Sequence, residues 1–466
     1  MIIVKFGGTS VGSAAAIRAT AEIVRGRVPR GPIVVVSALS GVTNILLSVA
    51  EQASAGKLIL ALQAVEGLRA RHFAEAEALL GKTPAAAELC SEMSPLLDEL
   101  ASLAEALSIL GHATPRSLDA IAATGEMLSC LLVVAAYAAA QLPAEIVESR
   151  DVMVTDATFA TAEPQADAIA AAVREHIVPR VRAGRIPVIG GFVGATREGI
   201  TTTLGRGGSD YTASLLGAAV GAEAIEIWTD VDGMLTADPR VVEGARVIES
   251  IRFDEASELA SFGAKVLHPS TIAPAVRLGI PVYVYNTHNP SGTGTRITFD
   301  APRRAVSAIA GKTPITMVKV RSSRMLLTPG FLRRVFEAFE RHRASVDVVA
   351  TSEVSVSVTL DHTERLDAIL VELAALGDVS VERARGVVAI VGAGLADDSD
   401  AMARALAAIQ GIPVHMLSLS ATGINLTIIV DADQVRPAIR RLHAAFFHAA
   451  GPVGAGGGEA AGRAGR

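Results

Sequence analysis

Short apolar runs alternate with longer amphipathic stretches over the first 230 residues of the chain. Residues 2–6 and 32–37 are mostly apolar runs of strand length, which is typical of strands buried on both faces of a parallel sheet. The Ala-, Leu- and Glu-rich residues 43–110 predict helices instead. The same periodicity predicts a helix capped by Ser13, helices over 118–141 and after Gly208, and strands at 144–149, 185–194 and 224–230. This alternation predicts an α/β fold, in which helices cover both faces of a mainly parallel sheet.

A different pattern begins near residue 300. Strand-like, helix-like and again strand-like segments follow one another over a short span, and a similar order returns after residue 385. This internal repeat predicts two small ferredoxin-like βαββαβ modules. The Gly- and Ala-rich residues 449–466 lack apolar periodicity and are predicted to form a disordered tail.

Composition limits the class of protein. The chain has 466 residues, which is enough for two or three domains, and its formal net charge of −6 disfavours a nucleic-acid partner. Two cysteines cannot form a disulfide framework, so they indicate a reducing compartment. No signal peptide is evident, and the longest apolar run, residues 130–140, is shorter than the roughly 20 residues of a membrane span. These features predict a cytoplasmic protein with no membrane partner.

Candidate chemistry lies in three glycine-containing stretches at residues 5–10, 201–213 and 228–240. Glycines let backbone N–H groups approach an anion closely, and a helix that starts after Gly208 adds its positive end. Lys5 and Arg206 add cationic side chains to two of the stretches. Each stretch alone is also typical of a tight turn, but the three together favour a site for phosphate or carboxylate. The chain carries neither a P-loop nor a GxGxxG motif after a strand.

Four motifs in order carry a family resemblance: KFGGTSV, GRGGSDYTA, WTDVDG with TADPR, and FGAKVLHP. Together they resemble the aspartate kinases of the amino acid kinase family. The resemblance implies an amino acid kinase domain at 1–300 with an eight-stranded, mostly parallel sheet. It also implies two ACT domains, one at 315–385 and one formed by 303–314 with 386–448. The implied reaction is transfer of the γ-phosphate of ATP to the β-carboxylate of L-aspartate, with Mg²⁺ bridging phosphate oxygens and no dedicated protein metal cage.

The resemblance also implies roles for individual residues. Lys5 would sit at the transferring phosphate, and Asp210 would orient Lys5 and Lys265, although an Asp at this place is also typical of a helix cap. Implied aspartate-binding residues are Thr43, Glu126, Arg206, Gly207, Gly208 and Ser209. Implied nucleotide-binding residues are Lys5, Gly7, Gly8, Thr229, Asp230, Leu235, Arg240, Lys265 and Val266. Leu235 stands where relatives commonly carry a tyrosine, and His268 is more typical of a structural histidine.

Regulation is implied by the second half of the chain, which resembles the lysine-sensitive type. Lysine would bind the first ACT domain through Met325, Thr328, Phe331, Leu332, Val346, Asp347, Ser352 and Glu353. A solvated loop is the alternative interpretation for Asp347 and Glu353. Because ACT domains pair edge to edge, the resemblance implies a homodimer and leaves a tetramer possible. Threonine also stays open as the effector.

Two other functions stay open at this stage. One is a related kinase that phosphorylates a different acid, such as glutamate or N-acetylglutamate. The other is a catalytically inactive amino-acid sensor that uses only the ACT domains. The presence of Lys5, Arg206, Asp210 and Lys265 favours a working kinase over the sensor.

Overall fold

The computed structural model describes residues 1–263, 269–326 and 328–448, and no side chain at 269 or 270. The predicted tail at 449–466 therefore lies outside the described residues, as do Lys265, Val266 and His268. The described chain divides into two compact units. The first contains Met1–Thr236 and Ala245–Ser307, and the second contains Ala237–Gly244 and the chain from Ala308 onward.

The first unit alternates strands and helices as the sequence predicts. Its elements in chain order are β1 (Ile2–Phe6), α1 (Ala14–Arg25), β2 (Pro32–Val36), α2 (Val42–Ser54), α3 (Leu58–Leu80), α4 (Pro84–Leu110), α5 (Pro115–Ala139), β3 (Ala144–Val147), α6 (Ser149–Val152), α7 (Ala166–His176), α8 (Val178–Arg182), β4 (Ile186–Gly190), β5 (Val193–Ala195), β6 (Thr201–Thr203), α9 (Gly208–Val220), β7 (Ala224–Thr229), β8 (Ser250–Ile251), α10 (Phe253–Ser261), α11 (Ala273–Arg277), β9 (Val282–Asn286) and β10 (Thr295–Ile297).

Eight of these strands form one sheet in the order β3-β4-β2-β1-β7-β9-β10-β8. Every neighbouring pair is parallel except β9 with β10, which is antiparallel. All residues of β1 and β2 are buried, because these central strands have helices against both faces. The parallel arrangement brings the carboxyl ends of β2, β1 and β7 to the same edge of the sheet.

The helices begin and end where local sequence signals place them. Ser13 caps α1 as predicted, and its hydroxyl accepts from the N–H of Ala16 at 3.3 Å. The long helical region at 43–110 is three helices, because Gly56 and Gly81 adopt left-handed φ values of 73° and 70°, and Thr83 then caps α4. Helix α5 is long and apolar enough to cross a membrane by length and composition, but 72% of its most apolar window is buried inside this unit.

The second unit is built on one antiparallel sheet. Its elements are β11 (Ala308–Arg321), α12 (Phe331–Arg341), β12 (Val349–Thr351), β13 (Ser355–Leu360), α13 (Leu366–Ala374), β14 (Asp378–Val391), α14 (Ser399–Ala408), β15 (Met416–Leu419), β16 (Asn425–Asp431) and α15 (Val435–Phe447). The strand order is β12-β13-β11-β14-β16-β15.

Two long strands run through both repeats of this sheet. Residues 308–312 of β11 pair with 387–391 of β14, whereas 316–321 of β11 pair with β13 on one side and with the first half of β14 on the other. The apolar faces of α12 and α13 cover the first repeat and form a core with Val318, Phe331 and Leu373. The predicted domain limits at 300, 315, 385 and 448 remain predictions.

Candidate active site

The loops after β1, β2 and β7 interlock at the carboxyl edge of the parallel sheet. The N–H of Ser40 donates to the carbonyl of Gly8 at 3.0 Å, and the N–H of Gly7 donates to the carbonyl of Trp228 at 3.0 Å. The Ser10 hydroxyl donates to the same Trp228 carbonyl at 3.2 Å. Three segments that are remote in sequence therefore form one surface at the edge where parallel α/β sheets bind ligands.

Gly8 is required by the close approach of two of these loops. A Cβ atom at this position would lie 2.8 Å from the carbonyl oxygen of Ala38. Its N–H has no partner among the described residues, so it is available to an anion. The prediction that Gly7 also offers an N–H is wrong for this structure, because that N–H already bonds to Trp228.

Lys5 and Asp210 form an ion pair beneath this surface. Lys5 lies in β1 and Asp210 in the first turn of α9, and Lys5 Nζ is 2.6 Å from Asp210 Oδ1. Both side chains are largely buried. Asp210 does not cap α9, because the N-cap residue is Gly207. The Asp210 carboxylate instead pairs with the ammonium group of Lys5.

Glu126 is a buried carboxyl group with unused hydrogen-bonding capacity. It lies in α5 with 3% of its surface exposed, and its Oε2 atom has no hydrogen-bond partner. Burial raises its pKa to about 8, and this rise is opposed by hydrogen bonding from the Ala38 backbone and by the positive charge of Lys5. Gly125 permits this placement, because a Cβ there would lie 2.8 Å from Cβ of Ala38.

Arg206 lies on an exposed loop that leads into α9. No described side chain pairs with its guanidinium group, which is therefore available to a ligand. Gly207 has a left-handed φ of 72°, and a Cβ on Gly208 would lie 2.6 Å from the ring of Phe192. Ser209 is buried against Gly191. The glycines thus let the chain turn sharply and bring the start of α9 against the end of β4.

The remaining predicted residues of the first unit are spread along the same edge and beyond it. Thr43 is half-buried in the first turn of α2, and Thr229 ends β7 with its hydroxyl donating to Asp230 at 3.2 Å. Leu235 is half-buried in a bridge with Val247.

Arg240, a predicted nucleotide-binding residue, belongs to the second unit. Its side chain is 84% exposed, and it pairs with Asp238 at 2.7 Å. Lys265 and Val266 lie outside the described residues.

The sequence profile of the amino acid kinase family matches residues 1–286. The chain belongs to the amino acid kinase family. A second profile, described as an ACT domain, matches residues 388–446 of this kinase.

Aspartokinases resemble this amino acid kinase along nearly its whole length. The lysine-sensitive aspartokinase 3 of Escherichia coli (strain K12) is 36% identical over 456 residues, which are 96% of this chain and 99% of that one. The chloroplastic aspartokinase 3 of Arabidopsis thaliana is 34% identical over 96% of this chain and 81% of that one. The crystal structure of E. coli aspartokinase III in complex with aspartate and ADP superposes with a TM-score of 0.83 at 36% identity, covering 96% of this chain and 100% of that one. The predicted fold class and the resemblance to aspartate kinases are thereby confirmed.

One residue of this kinase's interlocked edge was not predicted. Ser10 is buried, and its hydroxyl is 2.6 Å from that of Thr287, whose own N–H donates to the carbonyl of Thr229 at 2.8 Å. Ser10 thereby joins the loops after β1, β7 and β9. Its place inside the KFGGTS stretch was the available signal, but Thr287 carries no motif.

The predicted effector residues all lie in the second unit of the kinase, around its first repeat. Phe331 is a core residue, and Met325 and Val346 pack against that core. The other predicted effector residues are Thr328, Leu332, Ser352 and Glu353, which are exposed, and Asp347, whose side chain is only 26% exposed.

Asp347 is already paired within the chain. Its carboxylate lies 3.3 Å from Nζ of Lys312, which also contacts Asp361 at 2.6 Å. Burial raises the pKa of Asp347, the Lys312 ammonium opposes that rise, and Asp361 adds to it. Two carboxylates therefore share one cation beside the predicted effector site.

Proposed function

We propose that this protein is an aspartate kinase that converts ATP and L-aspartate to ADP and 4-phospho-L-aspartate. An oxygen of the aspartate β-carboxylate forms a bond to the γ-phosphorus. The bond from that phosphorus to the β–γ bridging oxygen breaks, and ADP leaves with the electron pair. The observation that carries this proposal is the Lys5–Asp210 ion pair, held close to the buried Glu126 on a chain that matches aspartokinases over nearly its whole length.

The nucleophile needs no general base, because a side-chain carboxyl with a reference pKa of about 3.9 is ionised at neutral pH. The obstacle is the repulsion between that carboxylate and the phosphate chain. Lys5 lowers it by placing a fixed ammonium at the transferring phosphate, and the N–H of Gly8 offers a further donor. Asp210 holds the Lys5 ammonium in one position, so little reorganisation is needed as charge develops.

Aspartate is recognised by two groups of opposite charge. The unpaired guanidinium of Arg206 matches the planar α-carboxylate, and the buried Glu126 carboxyl takes the α-ammonium. The Glu126 carboxyl has an oxygen without a hydrogen-bond partner and a raised pKa, as expected for an ammonium-binding group before its ligand binds. Thr43 and Ser209 are proposed as further contacts to aspartate, with the N–H group of Gly207. The N–H of Gly208 donates to the carbonyl of Gly205 at 3.0 Å, so Gly208 is proposed to line the site and not to donate to the ligand.

The nucleotide is proposed to lie along the loops after β1 and β7, against Gly8, Thr229, Asp230 and Leu235, with Lys265 as a second cation. Mg²⁺ is the proposed metal. Among the described residues no group of three His, Cys, Asp or Glu could hold a metal ion. The ion is proposed to bind through substrate phosphates and water. Such an ion would neutralise phosphate charge when bound.

Regulation is proposed to reside in the second unit, with lysine as inhibitor. A crystal structure of the similar E. coli aspartokinase III contains lysine and aspartate, and its TM-score is 0.81 at 36% identity. Asp347 and Glu353 supply carboxylates for an ammonium ligand, and Phe331 with Val346 supply apolar surface. We further propose a homodimer formed through the ACT domains, which could assemble into a tetramer, and a cytoplasmic location.

A hydroxamate assay tests the proposed reaction. The full-length protein is incubated with ATP, Mg²⁺ and hydroxylamine together with aspartate, glutamate or N-acetylglutamate. Hydroxamate formation from aspartate alone is the expected result. Activity with glutamate or N-acetylglutamate instead of aspartate would show that the proposed substrate is wrong. If none of the three acids reacts but the protein still binds lysine, the protein would be an amino-acid sensor. Adding lysine, threonine or both then identifies the effector.

A further inference from the structure

Asp119 is a buried carboxylate that takes no part in the proposed chemistry. It lies in the second turn of α5 with 2% of its surface exposed. It accepts from the N–H of Ala160 at 2.9 Å, from the N–H of Thr203 at 3.1 Å and from the hydroxyl of Thr203 at 2.7 Å. No lysine or arginine of the described chain forms an ion pair with it. A buried carboxylate held only by neutral donors is costly, so its presence here calls for a specific role.

Both partners of Asp119 border the loop that carries Arg206. Thr203 is the last residue of β6, and Gly205 and Arg206 follow almost directly. Ala160 is a non-glycine residue with a left-handed φ of 71°, a conformation that is costly without support. A Cβ on Gly205 would lie 3.2 Å from the carbonyl oxygen of Ala160, so the two backbones touch. Asp119 therefore fixes the base of the Arg206 loop from two sides.

The same helix carries the other proposed aspartate contact. Glu126 follows Asp119 by two helical turns, which places both side chains on the same face of α5. The middle of α5 thus presents the carboxyl proposed to bind the ammonium of aspartate. The N-terminal part of the same helix holds the loop that presents the guanidinium proposed to bind its α-carboxylate.

We propose that Asp119 is a positioning residue that sets the place of Arg206 relative to Glu126, and through it the selectivity for aspartate. This inference rests on the proposed roles of Arg206 and Glu126. Loss of the three hydrogen bonds releases the Arg206 loop while Lys5, Asp210 and the loop after β1 keep their own contacts. The affinity for aspartate should therefore fall, whereas the affinity for the nucleotide should change little.

The test compares Asp119→Asn with Thr203→Val. The asparagine is nearly isosteric, but it removes the negative charge and replaces the Oδ1 acceptor by an NH₂ donor, so the Thr203 hydroxyl can no longer donate to it. Thr203→Val removes only the hydroxyl donor. We expect the KM for aspartate to rise about tenfold or more in Asp119→Asn and less in Thr203→Val, with the KM for ATP changed less than about twofold.

Further measurements separate positioning from general destabilisation. Calorimetric titration of aspartate without ATP should show the same loss of affinity, and the ratio of kcat/KM for aspartate to that for glutamate should fall in Asp119→Asn. Because the two substitutions act on one hydrogen bond, the effect of Thr203→Val should shrink in the Asp119→Asn background. Asp98→Asn, which changes an exposed aspartate of α4, is the matched control and should alter none of these values.

Two results would overturn the proposal. One is an unchanged KM for aspartate in both variants, and the other is an equal rise in the KM values for aspartate and ATP with a lowered unfolding temperature. An Arg206→Ala variant tested in parallel distinguishes this failure from failure of the proposed function. If Arg206→Ala impairs aspartate binding while Asp119→Asn does not, only the role of Asp119 is lost. If Arg206→Ala has no effect, the assignment of Arg206 itself is wrong.

Discussion

The ammonium of Lys5 lies 2.6 Å from a carboxylate oxygen of Asp210, which joins the first strand of the sheet to the start of α9. Loss of Lys5 removes the positive charge that is proposed to stabilise the transferring phosphate. Loss of the Asp210 carboxylate leaves that ammonium group without the partner that holds it in position. We expect Lys5→Ala and Asp210→Asn each to lower kcat by about 10²–10³-fold, measured by ADP release at saturating aspartate and ATP.

Because Lys5 and Asp210 act as a unit, the double variant should be no slower than the slower single variant. Lys82→Ala, which removes an exposed lysine from the loop before α4, is the control and should keep normal turnover. If the fold-decrease in kcat of the double variant equals the product of the two single decreases, the two residues act independently. That result would contradict the proposed orienting role of Asp210.

The raised pKa of Glu126 predicts a pH-dependent affinity for aspartate. With a pKa of about 8 in the free protein, this carboxyl is mostly protonated at neutral pH, whereas the substrate ammonium favours its ionised form. Aspartate binding should therefore release a proton, and the KM should fall by up to about tenfold per pH unit as pH rises toward 8. In Glu126→Gln, the KM should be high and lose this dependence.

The same group predicts how stability depends on pH. The folded protein holds the Glu126 proton to higher pH than the unfolded chain, so its contribution to stability is complete below about 4.5 and is lost as pH rises through about 8. Urea unfolding should show this component in wild type and not in Glu126→Gln. A difference between the two proteins that is constant across this range would contradict the buried, protonated state.

Lysine inhibition should depend on Asp347. Asp347→Asn removes the charge proposed to meet the effector ammonium, so we expect the lysine concentration for half-inhibition to rise about tenfold or more. Each variant is compared with its own uninhibited rate. Asp367→Asn, which changes an exposed aspartate in the first turn of α13, should leave inhibition as in wild type. Equal inhibition in both variants would move the effector site away from Asp347.

Glu226 should be a major stabilising residue of the first unit. Its buried carboxylate accepts from Arg27, Arg30 and the Trp228 indole, each at 3.1 Å. Glu226→Ala leaves Arg27 without its carboxylate partner, takes one of two partners from Arg30 and removes the acceptor of the buried indole N–H, so we expect the free energy of unfolding to fall by about 3–5 kcal/mol. Trp228 is the only tryptophan and is fully buried beside this carboxylate, so its emission reports the transition.

Glu223→Ala is the matched control for this stability test. Glu223 also pairs with Arg30, but its side chain is 63% exposed, and its loss should cost less than about 1 kcal/mol. If Glu226→Ala and Glu223→Ala lower the free energy of unfolding equally, burial of the carboxylate does not determine how much these ion pairs stabilise the protein.

The central architecture could be predicted because its signals are local. Apolar runs identify β1 and β2, and Ser13 identifies the start of α1. The division of 43–110 into three helices was not predicted, because the Ala- and Leu-rich composition hides the breaks near Gly56 and Gly81, which both depend on a left-handed backbone.

The site was predictable only where its residues carry a motif. Lys5, Asp210 and Arg206 lie beside glycines, but the Gly7 hydrogen bond to Trp228 depends on strand pairing that no single stretch of sequence reveals. Asp119 was missed for the same reason. A lone aspartate in a helix has no pattern, and its partners at Ala160 and Thr203 come from later segments.

The two long strands β11 and β14 have a consequence for how the second unit can be engineered. Each strand contributes its first half to one repeat and its second half to the other, so neither repeat owns a complete set of strands. A chimera that exchanges one repeat with that of a relative would need its junctions inside β11 and β14, in the middle of their hydrogen-bonded pairing. Effector preference should therefore be transplanted only by moving the whole six-stranded sheet, or by side-chain changes on a backbone left intact.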